Sequence, residues 1–173
     1  RLLFRQSFDQ FDYVAINDLS DFNNLAYLLK YDTVYRTYDK LVKVVSEGNK
    51  NYLEVGGKKT LVLQEKEPAA LPWKDLGIDI VVEATGVFES FEKASVHLTV
   101  GAKKVVITAP AKDEERADAK TVLLGLNEDQ FKTCKITSNG SCTTNATHPL
   151  AAIMHESLGV KKAMLNTVHG YTA

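Results

Sequence analysis

The chain has 173 residues, of which 45% are hydrophobic and 25% charged, and its formal net charge is −1. That length suits one well-cored domain or a domain plus part of another, and a near-neutral chain without a Lys/Arg stripe excludes nucleic acid as the expected partner. No apolar run is long enough to span a bilayer, the opening residues lack a signal-peptide layout, and two cysteines make no disulfide framework. The expectation is a cytoplasmic protein without membrane contact, and with no metal, since Cys134 and Cys142 lack zinc-site spacing.

In chain order, Tyr13-Val14-Ala15-Ile16-Asn17 is a short apolar run and predicts a buried strand. Ser20 is placed to cap a helix whose face carries Phe22, Leu25, Ala26, Leu28 and Leu29. Residues 41–45 and 52–55 predict two antiparallel strands around Glu47-Gly48-Asn49, and Gly56-Gly57 turns the chain into a third over 60–63. Residues 78–82 predict a further buried strand that closes in Glu83-Ala84-Thr85-Gly86. A helical stretch over 88–100 follows, then strands over 104–108 and 121–124. Apolar strands alternating with helices indicate an α/β fold, a Rossmann-type doubly wound and mostly parallel sheet covered on both faces.

Ser138-Asn139-Gly140-Ser141-Cys142-Thr143-Thr144-Asn145 carries most of the chemistry. A cysteine among small hydroxylated residues opens a helix marked by Leu150, Ile153, Met154 and Leu158 and stopped by Gly159. Pro149 inside that helix removes one backbone hydrogen bond. A strand then leads to His169 in Thr167-Val168-His169-Gly170-Tyr171-Thr172. Helix N-terminus plus imidazole is how a chain activates a thiolate, so Cys142 is the expected nucleophile. Cys134, in Phe131-Lys132-Thr133-Cys134-Lys135, has neither feature and is expected to be a buried small hydrophobe. His148 and His155 are expected on the surface.

Asp18 ends the first strand, where a dinucleotide fold grips the ribose hydroxyls of NAD. The glycine loop expected about 20 residues upstream is not in the sequence, whose first glycine is Gly48. Arg1-Leu2-Leu3-Phe4-Arg5-Gln6-Ser7-Phe8 reads instead as the body of the helix that follows such a loop. The competing reading is that Asp18 merely caps the next helix.

Taken together, Arg1-Leu2-Leu3-Phe4-Arg5, Val14-Ala15-Ile16-Asn17-Asp18, Leu29-Lys30-Tyr31-Asp32, Val82-Glu83-Ala84-Thr85-Gly86-Val87-Phe88, Val106-Ile107-Thr108-Ala109-Pro110-Ala111-Lys112, the cysteine motif and His169-Gly170-Tyr171-Thr172 resemble the phosphorylating glyceraldehyde-3-phosphate dehydrogenase family along essentially the whole chain. The resemblance implies that Asn17 and Asp18 hold the adenosine ribose of NAD, with Lys66 near the adenine end. It implies that Thr85, Gly86 and Thr108 line the cofactor groove. Cys142 would be the nucleophile, His169 its base, and Ser141, Thr143 and Thr172 would serve the phosphate sites.

It further implies an NAD-binding domain over 1–141 without its first strand and glycine loop, then the beginning of an α+β catalytic domain over 142–173. The complete protein would be a cytoplasmic homotetramer of glycolysis that oxidises glyceraldehyde 3-phosphate with inorganic phosphate to 1,3-bisphosphoglycerate. The 173-residue chain alone is expected to turn over little. Departures from the family pattern are Gly140 (often alanine), Ala146 (often cysteine), Gly170 (often alanine or serine) and Tyr35-Arg36 in place of the usual His-Gly. The first three exchange small residues and are expected to be harmless. Alternative readings are an erythrose-4-phosphate dehydrogenase, which Tyr171-Thr172 resembles less, a non-catalytic nucleotide-binding fragment, and a Cys/His protease or acyltransferase, which would need neither Asp18 nor parallel strands.

Overall fold

The computed structural model describes residues 2–170, and the chain divides into two compact units, Arg1–Leu71 and Pro72–Ala173. In the first, α1 (Leu2–Gln6) leads to β1 (Ala15–Asn17) and α2 (Phe22–Lys30), followed by β2 (Val42–Glu47), β3 (Lys50–Val55) and β4 (Lys58–Leu63). The sheet is mixed, in the order β1-β4-β3-β2, with β1 parallel to β4 and the other pairs antiparallel. Two-residue turns suffice to close the antiparallel meander, whereas the parallel pair needs α2 and the meander as its crossover. Phe4, Phe8, Leu29, Tyr38, Leu53, Val55 and Val62 form the core, with Tyr13 stacked on Phe4 at 4.2 Å between ring centroids.

Two details differ from the sequence expectation here. Asp21, not Ser20, caps α2: its carboxylate accepts from the Asn23 and Asn24 backbone N–H groups, both at 3.0 Å. A carboxylate reaches two donors at once and also opposes the helix dipole, which a hydroxyl does less well. Arg36, where the resembling family commonly has glycine, keeps the left-handed backbone with φ 62°. The Arg5 guanidinium holds that turn by donating to the Tyr35 and Arg36 carbonyls at 3.0 and 2.8 Å.

In the second unit, β5 (Ile80–Glu83), α3 (Phe91–Ala94), α4 (Val96–Thr99), β6 (Lys104–Ile107), β7 (Ala119–Thr121), β8 (Ile136–Ser138) and α5 (Cys142–Leu158) succeed one another. Its sheet is entirely parallel, in the order β5-β6-β8-β7. The core is Phe91, Ala94, Val105, Ile107, Ala119 and Ile136. Phe91 is wholly buried, and burial of such a side chain is worth about 1.5–3 kcal/mol.

Several expectations shift in this unit. The helix over 88–100 is two single turns, because Ser90 caps one start and Ser95 breaks the run before the next. The strand placed at 121–124 is the ladder Ala119–Thr121 instead, and Leu124 is exposed. β8 has no mark in the sequence, since Ile136-Thr137-Ser138 is short and mostly polar, yet all three residues are buried. Cover on both faces holds at β8 but not at the β5 edge of the sheet, where Ile80 and Val82 are exposed while Val81 and Glu83 are buried. α5 runs through Pro149 and ends at Gly159, as its pattern predicts. The strand expected before His169 is absent, for 163–170 pairs with no other strand among the described residues.

Gly101 has the closest neighbours of the second unit's described glycines. Its φ is 109°, and a Cβ there would lie 2.4 to 2.7 Å from the side-chain Cβ and the backbone of Lys74. The expected cost of Gly101→Ala is about 2–4 kcal/mol, because left-handed strain adds to a clash with backbone that cannot swing away. Urea unfolding of the variant against the parent chain measures it.

Candidate active site

Register decides where the chemistry-bearing residues of the second unit emerge. Glu83 pairs with Ile107, and Ile107 pairs with Ser138, so β5, β6 and β8 end level with one another. The Thr108 N–H extends the ladder to the Glu83 carbonyl at 3.0 Å, and the Asn139 N–H reaches the Ile107 carbonyl at 2.9 Å. Thr85 and Gly86, Thr108, and Ser141 with Cys142 therefore follow the carboxyl ends of adjacent parallel strands, the rim at which open α/β sheets bind ligands. Thr85, Gly86 and Thr108 are exposed there.

The loop from β8 to α5 is built to stop abruptly. The buried Ser138 hydroxyl donates to the Ala109 carbonyl at 2.7 Å and accepts from the Gly140 N–H at 3.1 Å. Gly140 then takes a φ of 65°, and a Cβ would meet the Thr144 methyl at 2.9 Å. Glycine is thus not interchangeable with alanine in this loop, contrary to what size alone suggests. Ser141 caps α5, its hydroxyl accepting from the Thr144 N–H at 2.9 Å. Asn145, which has no role in the sequence reading, ties the turn down by donating to the Asn139 and Ser141 carbonyls at 2.7 and 2.8 Å.

Cys142 is consequently the first residue of α5, exposed, with its Sγ 3.1 Å from His169 Nε2. His169 Nδ1 lies 2.7 Å from the Gly170 carbonyl. A carbonyl only accepts, so Nδ1 carries a proton and Nε2 faces the sulfur as an acceptor, or as a donor once it has taken the thiol proton. The hydrogen bond from His169, joined by side-chain and backbone bonds from Thr143, holds the Cys142 thiol below its usual range. The sulfur in turn raises His169, assisted by the Gly170 carbonyl. Cys134 is buried and has no such arrangement.

The other expected site residues fall as follows. In the first unit, Asp18 leaves β1 and its N–H bonds the Leu63 carbonyl at 3.1 Å, so it emerges beside the end of β4. One carboxylate oxygen accepts from the Ser20 N–H at 2.8 Å; the helix cap is Asp21, which removes the competing reading of Asp18. Asn17 exchanges two hydrogen bonds with the Glu65 backbone, at 2.9 and 2.8 Å, and so fixes the segment that carries exposed Lys66. Its amide is committed to the fold. The Ser141 and Thr143 hydroxyl groups are engaged by the cap and the sulfur, and Thr172 lies outside the described residues.

Glu83 and His97, both buried, stand behind this rim, and sequence reasoning missed them because they lie fourteen positions apart, with α3 between them and His97 inside α4. Glu83 Oε1 accepts from the Thr85 N–H at 2.8 Å and from the Thr85 hydroxyl, while Oε2 lies 3.0 Å from His97 Nε2. Burial pushes the Glu83 carboxyl up, but the bonds from His97 and Thr85 outweigh it and leave the group below its usual range. Among the described residues no cluster of His, Cys, Asp or Glu could hold a metal ion.

The sign of the Cys142 and His169 shifts fixes a pH profile. A lowered thiol and a raised imidazole both favour the thiolate–imidazolium pair over thiol and neutral imidazole, so alkylation of Cys142 should set in below the usual thiol range of about 8.5. Iodoacetamide followed by peptide mass spectrometry should label Cys142 at least about tenfold faster than Cys134 near neutral pH. His169→Asn should move the alkylation midpoint upward; an unchanged midpoint, or Cys134 labelled first, refutes the pairing.

Comparison with known proteins places the sequence in a family. Residues 1–91 match the family model described as glyceraldehyde 3-phosphate dehydrogenase, NAD binding domain, and residues 141–173 match the glyceraldehyde 3-phosphate dehydrogenase C-terminal domain. The chain is 48% identical over 173 residues to a glyceraldehyde-3-phosphate dehydrogenase of Thermotoga maritima, covering 99% of this chain and 50% of that protein. It is 47% identical over 161 residues to one of Geobacillus stearothermophilus, covering 92% and 46%, and 45% identical over 176 residues to glyceraldehyde-3-phosphate dehydrogenase 2 of Bacillus subtilis, covering 99% and 49%. The chain thus spans about half the length of the curated relatives it matches, and over that span it belongs to the glyceraldehyde-3-phosphate dehydrogenase family.

Proposed function

We propose that the chain carries the cysteine–histidine centre of an NAD-dependent, phosphorylating glyceraldehyde-3-phosphate dehydrogenase, acting on glyceraldehyde 3-phosphate and inorganic phosphate. The observation that carries this reading is Cys142 Sγ at 3.1 Å from His169 Nε2, at the first residue of α5 and on the rim where three parallel strands end. The proposed division is a dinucleotide-binding domain over 1–141 and the start of a catalytic domain at 142; the second family match, which begins at 141, supports it. For the whole protein we propose a cytoplasmic homotetramer of glycolysis. No helix among the described residues is long and apolar enough to cross a membrane.

The residues present fit NAD. In the first unit Asp18 offers the carboxylate oxygen not engaged by Ser20 to a ribose diol, and Lys66 stands on the neighbouring strand exit; in the second, taken by itself, Thr85, Gly86 and Thr108 present an exposed polar rim. When bound, NAD supplies the two-electron acceptor for a hydride. The remaining work belongs to the chain. His169 takes the thiol proton, and the Cys142 thiolate attacks the aldehyde carbon to give a thiohemiacetal. The Cys142 N–H, which as the first of α5 has no intrahelical acceptor, and the His169 imidazolium face the oxyanion.

As the thiohemiacetal hydroxyl returns its proton to His169, the aldehyde hydrogen leaves with its electron pair and a thioester remains on Sγ. Phosphate then attacks the thioester carbon, the C–S bond breaks and the thiolate re-forms, releasing the acyl phosphate. Ser141, Thr143 and Thr172 are the hydroxyls proposed to receive the phosphate groups. Hydroxyls bind phosphate without a fixed cation that would neutralise the thiolate.

The test uses the thiol as reporter. Glyceraldehyde 3-phosphate should slow Cys142 alkylation at least about tenfold without affecting Cys134, and NAD should change the rate as well. A thiol indifferent to both overturns the reading, and stronger protection by erythrose 4-phosphate would move the substrate to the four-carbon aldehyde.

Cofactor preference gives a second prediction. Asp18 would repel a 2′-phosphate, and Leu19-Ser20-Asp21 offers no base to receive one. NAD should bind more tightly than NADP, and Asp18→Gly should shrink the ratio of dissociation constants by about tenfold, or about 1.4 kcal/mol. Titration followed by fluorescence or calorimetry checks both.

A further inference from the structure

Four side chains of the second unit form one hydrogen-bonded line that starts in the core and ends on the rim. Trp73 Nε1 lies 3.1 Å from His97 Nδ1, His97 Nε2 lies 3.0 Å from Glu83 Oε2, and Glu83 Oε1 accepts from the N–H and hydroxyl of Thr85. Trp73, His97 and Glu83 are 5%, 4% and 6% exposed, whereas Thr85 and Gly86 stand in solvent. The Thr85 hydroxyl also accepts from the Val87 N–H at 3.1 Å, so the turn is closed on both sides of Thr85.

The direction of every bond in this line follows from its first member. Indole Nε1–H can only donate, so His97 Nδ1 must accept, so His97 Nε2 carries the proton and donates to Glu83. Glu83 then has one oxygen occupied by His97 and the other free to accept twice from Thr85. Neither oxygen is left without a donor, which is what lets a carboxylate sit at 6% exposure. A packing role alone would be filled by an apolar side chain at position 83 with no desolvation cost, as it is by Val81 two residues earlier.

We propose that Trp73, His97 and Glu83 are positioning residues: a relay of donors runs from the Trp73 indole through His97 to the Glu83 carboxylate, whose other oxygen accepts from Thr85 and so fixes the Ala84-Thr85-Gly86 turn in the shape with which it receives the cofactor. This rests on the reading of Thr85 and Gly86 as cofactor-lining residues. The relay works through Thr85; none of its three core members needs to touch the cofactor.

The relay makes a prediction that packing does not. In Glu83→Gln the new amide keeps one acceptor for Thr85 and turns an N–H2 toward His97 Nε2–H, two donors face to face. His97 cannot answer by changing tautomer, because a proton on Nδ1 would confront the indole N–H. Removing that N–H with Trp73→Phe frees His97 to change tautomer and accept from the substituted amide. The Glu83→Gln variant should therefore weaken NAD about tenfold, Trp73→Phe alone by no more than about threefold, and the double variant should return to within about threefold of Trp73→Phe. Two independent core defects would instead add, leaving the double variant weaker than either.

Nitrogen NMR supplies a readout that needs no cofactor to bind and, for the His97 tautomer, no variant to fold. His97 should show a protonated Nε2 and a bare Nδ1, and the Thr85 amide should shift on Glu83→Gln and shift back in the double variant. A protonated Nδ1, an unmoved Thr85 amide, or a double variant binding NAD no better than Glu83→Gln overturns the relay. If the chain binds no NAD at all, the cofactor reading fails while the tautomer and the Thr85 amide still decide whether the relay exists.

Discussion

The level ending of β5, β6 and β8 is the constraint on which the candidate site depends. Because Glu83, Ile107 and Ser138 share a register, a shift of any one strand by a residue would both turn its buried side chains outward and withdraw its loop from the rim. The buried residues favour that register: Val105 and Ile107 on β6 and Ile136 on β8 lie in one core, and a one-residue slip of β6 would turn both of its core residues away from it. Position along the strand axis is thus set by hydrophobic burial, and the polar loops inherit it. Thr85, Thr108 and Cys142 are remote in sequence and follow adjacent strands only because the core permits one alignment.

The thiol itself depends on how sharply the chain turns after β8. Only three residues, 139–141, separate the strand from α5, so the helix dipole and its unpaired N–H groups are delivered beside the strand end. Gly140 supplies the backbone reversal, Ser138 and Asn145 close it with side-chain hydrogen bonds, and the Ser141 hydroxyl oxygen accepts in the cap. All four of these residues serve to place one sulfur. That is why the motif reads so densely: most of its members serve the turn, and Cys142 receives the benefit.

What could be read from the sequence follows the same division of labour. Cys142 at a helix start, the length of α5 and its stop at Gly159, the antiparallel meander and Asp18 at a strand end all leave local marks: a capping hydroxyl, an apolar period, a glycine turn. β8 leaves none, because a three-residue strand buried among neighbours needs no alternation and can carry Thr137 and Ser138 once their hydrogen bonds are met. The 88–100 stretch carries helical apolar spacing, but Ser90 and Ser95 cut it into single turns. Composition favours a strand before His169, yet a strand exists only against a partner, and 163–170 has none among the described residues. Glu83 and His97 are illegible for a further reason: a buried ion-bearing pair is a tertiary event, and each residue alone looks like an ordinary surface side chain.

His97 and His169 show how little the residue type itself decides. Each presents Nε2 to the group that matters and uses Nδ1 as an anchor. At His97 the anchor is an indole N–H, a pure donor, so Nδ1 must accept and Nε2 is fixed as a donor. At His169 the anchor is a backbone carbonyl, a pure acceptor, so Nδ1 must donate and Nε2 is left with a lone pair facing a thiol. The first ring is buried and can only hold; the second is exposed and can take up a proton and return it. Exchange the anchors and the chemistry would exchange with them, a base behind the cofactor turn and an inert donor beside Cys142. The difference between a scaffold and a proton acceptor is therefore written one bond away from the reacting atom, in what Nδ1 meets.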